Sequence, residues 1–305
     1  MFLNAFNSML ALFGCMLIGF IGARKGVFKE EMNVAFNKLL LNVTVPAMFI
    51  SAMNIEMEQG VLEQGFISLI SGFVYHFICV IIAFLTMKLF KIKYNYRAIW
   101  LFALTFANIA FLGFPLIKDI FGEEMLFHTT LFNISFNVLV FSLGVYMINY
   151  GSSEKISLKN IILQPAFIGV GIGLIIFISP WKLPEFLTKM LEMFGAVTPP
   201  LSMFVAGSTL AATSVIGALK NKTIYLFSVV KLIVIPVIIY FVGNLLISDS
   251  ELVLMFMVLS ATPSAVLTVI LSKRYNSSGV LASEVVFVST ALSVITLPVM
   301  LKIFS

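Results

Sequence analysis

The sequence predicts an all-α integral membrane protein of ten spanning helices arranged as two inverted five-helix repeats. Three observations carry that prediction. Of 305 residues, 60% are hydrophobic and 11% charged, with a mean hydropathy of +1.08, which no water-soluble domain needs. Ten apolar runs reach membrane length. A shift of 154 positions lays the second half of the chain over the first.

The runs fall at about 5–23, 33–53, 65–87, 98–117, 125–149, 161–179, 194–215, 223–246, 252–272 and 279–303. Each is close to the ~20 residues that a helix needs to cross hydrocarbon. The first has no basic segment before it and no small-residue cleavage site after it, and reads as a retained span. Cys15 and Cys79 lie within spans and read as buried thiols.

Charge gives the orientation. With both termini outside, the inner loops hold 13 basic residues, from Arg24 and Lys25 through Lys273 and Arg274. The outer side keeps four: Lys118, Lys182, Lys189 and Lys302. That bias alternates through every loop as the positive-inside rule requires. The net charge of +5 is therefore topological and not a nucleic-acid surface. A bacterial inner (plasma) membrane is the expected location.

The 154-residue shift places Thr44 and Pro46 of "VTVPAMF" on Thr198 and Pro200 of "VTPPLSM". It also places Asn108 on Thr262. Five spans per half force the two copies into opposite orientations, an arrangement that secondary transporters use. The expected division is residues 1–150 for the first repeat, 151–160 for a cytoplasmic linker and 161–305 for the second.

Span four contains "ANIAFLGFP" (107–115), and span nine "SATPSAV" (260–266). Asn108 and Thr262 read as N-caps, with Ile109 and Pro263 opening new helical segments and Gly113 and Pro115 marking a helix break. Bare N–H groups at such breaks cost several kcal/mol each in hydrocarbon, unless protein or ligand satisfies them. Two half-helix N-termini meeting at mid-membrane would attract an anion. Asn108, Ile109, Thr262, Pro263 and Ser264 are the candidate binding residues. Asn42 and Pro46 of span two are placed on one face with Phe49, along the substrate path.

Titratable groups at depth are candidates for coupling to H+ or Na+: Glu284 about one and a half turns into span ten, Lys231 in span eight and His76 in span three. Lys231 could snorkel or pair with Glu284. His128 is expected at the interface near the outer end of span five. No metal site and no cofactor are expected. Neither HExxH nor GxSxG occurs, no ATP-binding loop is present, and the two histidines are 52 residues apart, so the reading is not an enzyme.

At these residues a family likeness emerges. "NIAFLGFPLIKDIFG" (108–122) resembles the span-four signature of the auxin efflux carrier family at Asn108, Gly113, Pro115, Leu116, Lys118 and Gly122. "ATPSAVLTVILSKRYN" (261–276) is similar to its span-nine signature, and Asn37 with Val45 and Pro46 matches span two. Plant members carry a proline where this chain has Ala107, and many have a long loop where residues 150–160 are short. The resemblance implies a scaffold of spans 1, 2, 6 and 7 that forms a homodimer. It also implies a transport domain of spans 3–5 and 8–10 moving by an elevator mechanism. The implied substrate is a small organic anion, a carboxylate such as malate or malonate or an auxin-like acid. An anion channel or a non-transporting carboxylate sensor on the same fold is the alternative.

Overall fold

The computed structural model describes residues 2–54, 61–148, 163, 165–179, 183–211, 219–275 and 277–305. The expected linker at 151–160 lies outside these. Among the described residues the regular structure is helical, with one isolated β-bridge and no strand.

In chain order the helices are α1 (Phe2–Arg24), α2 (Glu30–Leu39 running through a π turn, Leu40–Thr44, into Val45–Ala52) and α3 (Val61–Leu89). Next come α4 (Tyr94–Thr105), α5 (π turn Ile109–Gly113 running into Phe114–Phe121) and α6 (Met125–Leu139, with a π turn at Val140–Gly144 and an end at Val145–Ile148). The second half holds α7 (Pro165–Ile178), α8 (Glu185–Leu210) and α9 (Lys222–Val229, π turn Val230–Val234, Ile235–Leu246). It ends with α10 (Ser250–Ser260), α11 (Leu267–Arg274) and α12 (Gly279–Phe304).

Among the described residues the apolar runs are mostly helical, and by length and composition six of these helices can cross a membrane: α1, α2, α3, α8, α9 and α12. The bent α6, with 42° between its parts, makes a seventh. The remaining runs are divided or short. Run 98–117 is split between α4 and α5, run 252–272 between α10 and α11, and α7 has 14 residues. Apolar side chains such as Ile18, Phe66, Phe77, Ile175 and Leu245 stand exposed on the outer faces, as lipid contact requires. The chain is an integral membrane protein.

Three π turns have one cause. Pro46, Pro115 and Pro236 each follow the end of a π turn by two residues. In each, the residue before the proline donates to the carbonyl five back: Val45 to Leu40, Phe114 to Ile109 and Ile235 to Val230. A proline ring collides with the carbonyl four residues earlier and offers it no N–H, and a widened turn relieves both problems without breaking the rod.

Packing is closest where α1 crosses α8. A Cβ on Gly19 would sit 2.0 Å from the Phe204 carbonyl oxygen, and one on Gly207 only 1.8 Å from that of Met16. Backbone therefore touches backbone, the close approach that small residues permit between membrane helices. Asn33 Nδ2 donates to Ser208 Oγ (2.8 Å) and Asn54 Nδ2 to Thr188 Oγ1 (3.2 Å), holding α2 to α8 at both ends. Elsewhere the Phe132 and Phe256 rings stack at 5.1 Å, joining α6 to α10.

Candidate functional site

The two helix interruptions meet. After Thr105 the chain leaves α4 with Phe106 in extended geometry (φ −104°, ψ 107°), although its N–H still closes the last turn on Phe102. Ala107 then forms an antiparallel bridge with Ser264. Asn108 N–H donates to the Pro263 carbonyl at 2.8 Å, and Ala265 N–H donates to the Phe106 carbonyl at 3.0 Å. The Ser264 hydroxyl donates to the Ala103 carbonyl at 3.1 Å, and its N–H reaches Ser289 Oγ of α12 at 3.4 Å. These bonds satisfy backbone groups that neither helix can pair internally.

Satisfaction stops where the helices resume. The Asn108 carbonyl accepts from Leu112 and Gly113, but among the described residues the N–H groups of Ala110 and Phe111 reach no acceptor. Val266 and Leu267, at the start of α11, are in the same condition. Asn108 stands at the N-cap position with its side chain making no capping bond, and its Nδ2 is buried without a partner among the described residues. An amide with two free donors beside bare N–H groups at a helix start is an arrangement that can donate hydrogen bonds to an anionic oxygen.

Two expectations about the break change. Gly113 closes the π turn with helical backbone (φ −64°, ψ −49°), and Pro115 follows it two residues later. The interruption lies before them, at Phe106–Asn108, because the bridge demands extended backbone there. Pro115 is accommodated by the π turn, and Gly113 makes room for Leu259, whose Cδ2 would lie 2.9 Å from an added Cβ. Thr262 does not cap α11. Its hydroxyl turns back to the Leu259 carbonyl (2.7 Å), ending α10, and α11 begins only at Leu267, since Ser264 and Ala265 are used by the bridge.

Asn42 and Pro46 are separated from each other. Asn42 is exposed and donates to the Lys38 carbonyl at 2.7 Å, whereas Pro46 packs against Gly169 of α7. The extra residue of the π turn between them rotates Asn42 away from the face that carries the buried Phe49. Neither residue hydrogen-bonds at the break.

The titratable candidates occupy three different places. Lys231 is fully buried in the π turn of α9, donating to Tyr75 Oη (3.2 Å) and to the Leu104 carbonyl (3.3 Å). It neither snorkels nor pairs with Glu284, which is half-buried beside Asn221. The π turn points the lysine inward, onto the last turn of α4. His76 is fully buried, with Nδ1 within 2.7 Å of the Gly72 carbonyl and 3.1 Å of Ser135 Oγ, and its Nε2 has no partner. His128, in the first turn of α6, is buried, 3.1 Å from Ser68 Oγ. Among the described residues no group of three or more His, Cys, Asp or Glu side chains could hold a metal.

Two cavities flank the interrupted helices. One, of about 500 Å³, lies between α2, α5 and α8 and is lined by Ser51, Asn54, Pro115, Lys118, Asp119 and Glu192. The other, of about 440 Å³, lies between α1, α2, α8 and α11 and includes Arg24, Asn33, Asn37 and Ser208 with Val269 and Ile270. Each resumed helix thus lines one of them. Sequence reasoning missed Ser289, Ala103, Tyr75 and Leu104; only Ser289 and Ser293, one turn apart on α12, could have pointed to the first.

Comparison with known proteins agrees with this picture. The chain is 24% identical over 279 residues to the uncharacterized transporter YfdV of Escherichia coli K12, covering 88% of each chain. It is 25% identical over 294 residues to the uncharacterized transporter MJ1031 of Methanocaldococcus jannaschii, covering 92% of this chain and 93% of the other. An uncharacterized transporter of Methanothermobacter thermautotrophicus is 24% identical over 307 residues, 97% of each. The sequence profile described as "Membrane transport protein" matches twice, over residues 4–157 and 150–301, and the chain accordingly belongs to that transporter family, the auxin efflux carrier family that its span-four motif resembles.

Proposed function

We propose that the protein is a secondary transporter that binds a small organic anion, a carboxylate such as malate or malonate or an auxin-like acid, at the joined helix breaks. The observation that carries this reading is the buried, unpartnered Asn108 Nδ2 beside the bare N–H groups of Ala110 and Phe111. A carboxylate there accepts charge-assisted hydrogen bonds and meets the positive end of a helix, each favourable in a low-dielectric site.

The movement is of the elevator type. The two matches of the family profile, one per half, support an inverted repeat of five plus five spans, with α4–α5 and α10–α11 as the crossed pair. α1, α2, α7 and α8 form the scaffold and the surface on which a second copy docks; the remaining helices carry the site. The separate cavities beside α5 and α11 serve as the two vestibules. Both termini face outward from a bacterial inner membrane, with H+ or Na+ as candidate coupling ions.

The test is flux. Reconstituted in liposomes, the protein should take up labelled malonate or malate saturably. Electrical conductance without saturation would make it a channel, and binding without flux a sensor. Thermal stabilisation against a panel of small carboxylates identifies the best substrate.

A further inference from the structure

We infer that Lys231 is a built-in counter-charge for the bound anion, so that the transport domain loaded with a monoanion crosses the membrane field without net charge. This rests on the transport reading above. Lys231 is the one lysine, arginine, aspartate or glutamate side chain that is fully buried among the described residues. Its ammonium has three donors and two neutral acceptors, Tyr75 Oη and the Leu104 carbonyl. The ion pair found among the described residues is Lys118–Glu123, so no carboxylate answers the buried cation.

An ammonium held in that way is costly unless something negative comes near. The negative partner on hand is partial: Leu104 is at the C-terminal end of α4, where helix carbonyls gather negative charge. Leu104 is two residues before Phe106, where the chain leaves α4 and the interruption begins. The cation is therefore placed beside the break on the α4 side, while the helix starts offer their N–H groups on the other. A single carboxylate completes the arrangement; a second negative charge has no buried partner among the described residues.

The experiment uses malonamate, a monoanion, and malonate, a dianion at neutral pH, in proteoliposomes with imposed potassium-diffusion potentials. One charge crossing 100 mV is worth about 50-fold in an equilibrium. Counterflow, in which the carrier is loaded in both directions, should respond less than about twofold to 100 mV with malonamate and several-fold with malonate. In Lys231→Met, malonamate counterflow should become potential-sensitive, and Lys231→Arg should restore the wild-type response. A purely structural lysine would not move this readout. Equal potential sensitivity of the two acids in the wild type overturns the inference even if Lys231→Met does not fold, as does a Lys231→Met protein that behaves like the wild type. If the wild type carries neither acid while still taking up another carboxylate, the inference is rejected for these ligands and the transport reading stands; if it carries none, both are overturned.

Discussion

The backbone N–H of Asn108 is bonded to the carbonyl of Pro263 at 2.8 Å, while the side-chain Nδ2 of the same Asn108 has no partner among the described residues. The main chain joins the two interrupted helices and the side chain is left for something else. Removing that side chain should cost the fold little, because no bond within the protein is lost. Asn108→Ala should melt within a few degrees of wild type and lose at least tenfold in carboxylate uptake. Normal uptake by this variant would take Asn108 out of the site.

Ser8 Oγ of α1 donates to Asp119 Oδ2 of α5 at 2.5 Å, linking the proposed scaffold to the proposed moving part. With Cys15 and Cys79 replaced, Ser8→Cys combined with Asp119→Cys should cross-link under oxidation. Uptake should then stop, and reduction should restore it. A cross-linked carrier that works at the normal rate contradicts an elevator displacement.

The crossing of α1 and α8 admits no side chain at Gly207, where an added Cβ would meet the Met16 carbonyl at 1.8 Å. Gly207→Val should destabilise by about 3 kcal/mol, the upper part of the usual cost of overpacking. Thermal unfolding in detergent measures it. Gly171, with open space around its Cβ position, serves as the control and should tolerate alanine with little change.

His76 lies among aromatic rings, 4.8 Å from that of Tyr75 and 5.5 Å from that of Phe106. Its Nδ1 meets the Gly72 carbonyl of its own helix and Ser135 Oγ, and its Nε2 has no hydrogen-bond partner among the described residues, so a packing role suits it. His76→Phe should fold and retain uptake within about threefold, the dependence on a proton gradient unchanged. Loss of that dependence would establish the histidine as the coupling group.

Glu284 stands half-buried beside Asn221, whose amide also donates to Tyr96 Oη at 3.2 Å. Uptake driven by imposed proton and sodium gradients should be the same in Glu284→Gln as in wild type if the carboxylate only braces α12 against the start of α9. A selective loss of the response to one gradient assigns the coupling ion.

The helical class and the location of both interruptions were legible from apolar runs broken by Asn108, Thr262 and Pro263, because hydrocarbon penalises every unpaired backbone group and so makes breaks conspicuous. What surrounds the breaks was not legible. Gly113 and Pro115 drew attention as helix breakers, yet a π turn absorbs the proline, and no local rule distinguishes that outcome from a kink. The same device turned Asn42 outward, since one added residue shifts the face by far more than the pattern of apolar residues reveals. Lys231 was visible as a charge in a span, but its partners, Tyr75 and the Leu104 carbonyl, come from helices distant in the chain, and a carbonyl carries no mark in a sequence.

The bridge between Ala107 and Ser264, fastened to α12 through Ser289, has a thermodynamic corollary. In the proposed elevator movement a cradle stitched from both interrupted helices is carried as one piece, so the guest would meet the same donors whichever compartment it faces. Equal affinity on both sides means that such a machine, left without a driving gradient, only levels concentrations; any accumulation must be imposed by a second solute or by the voltage.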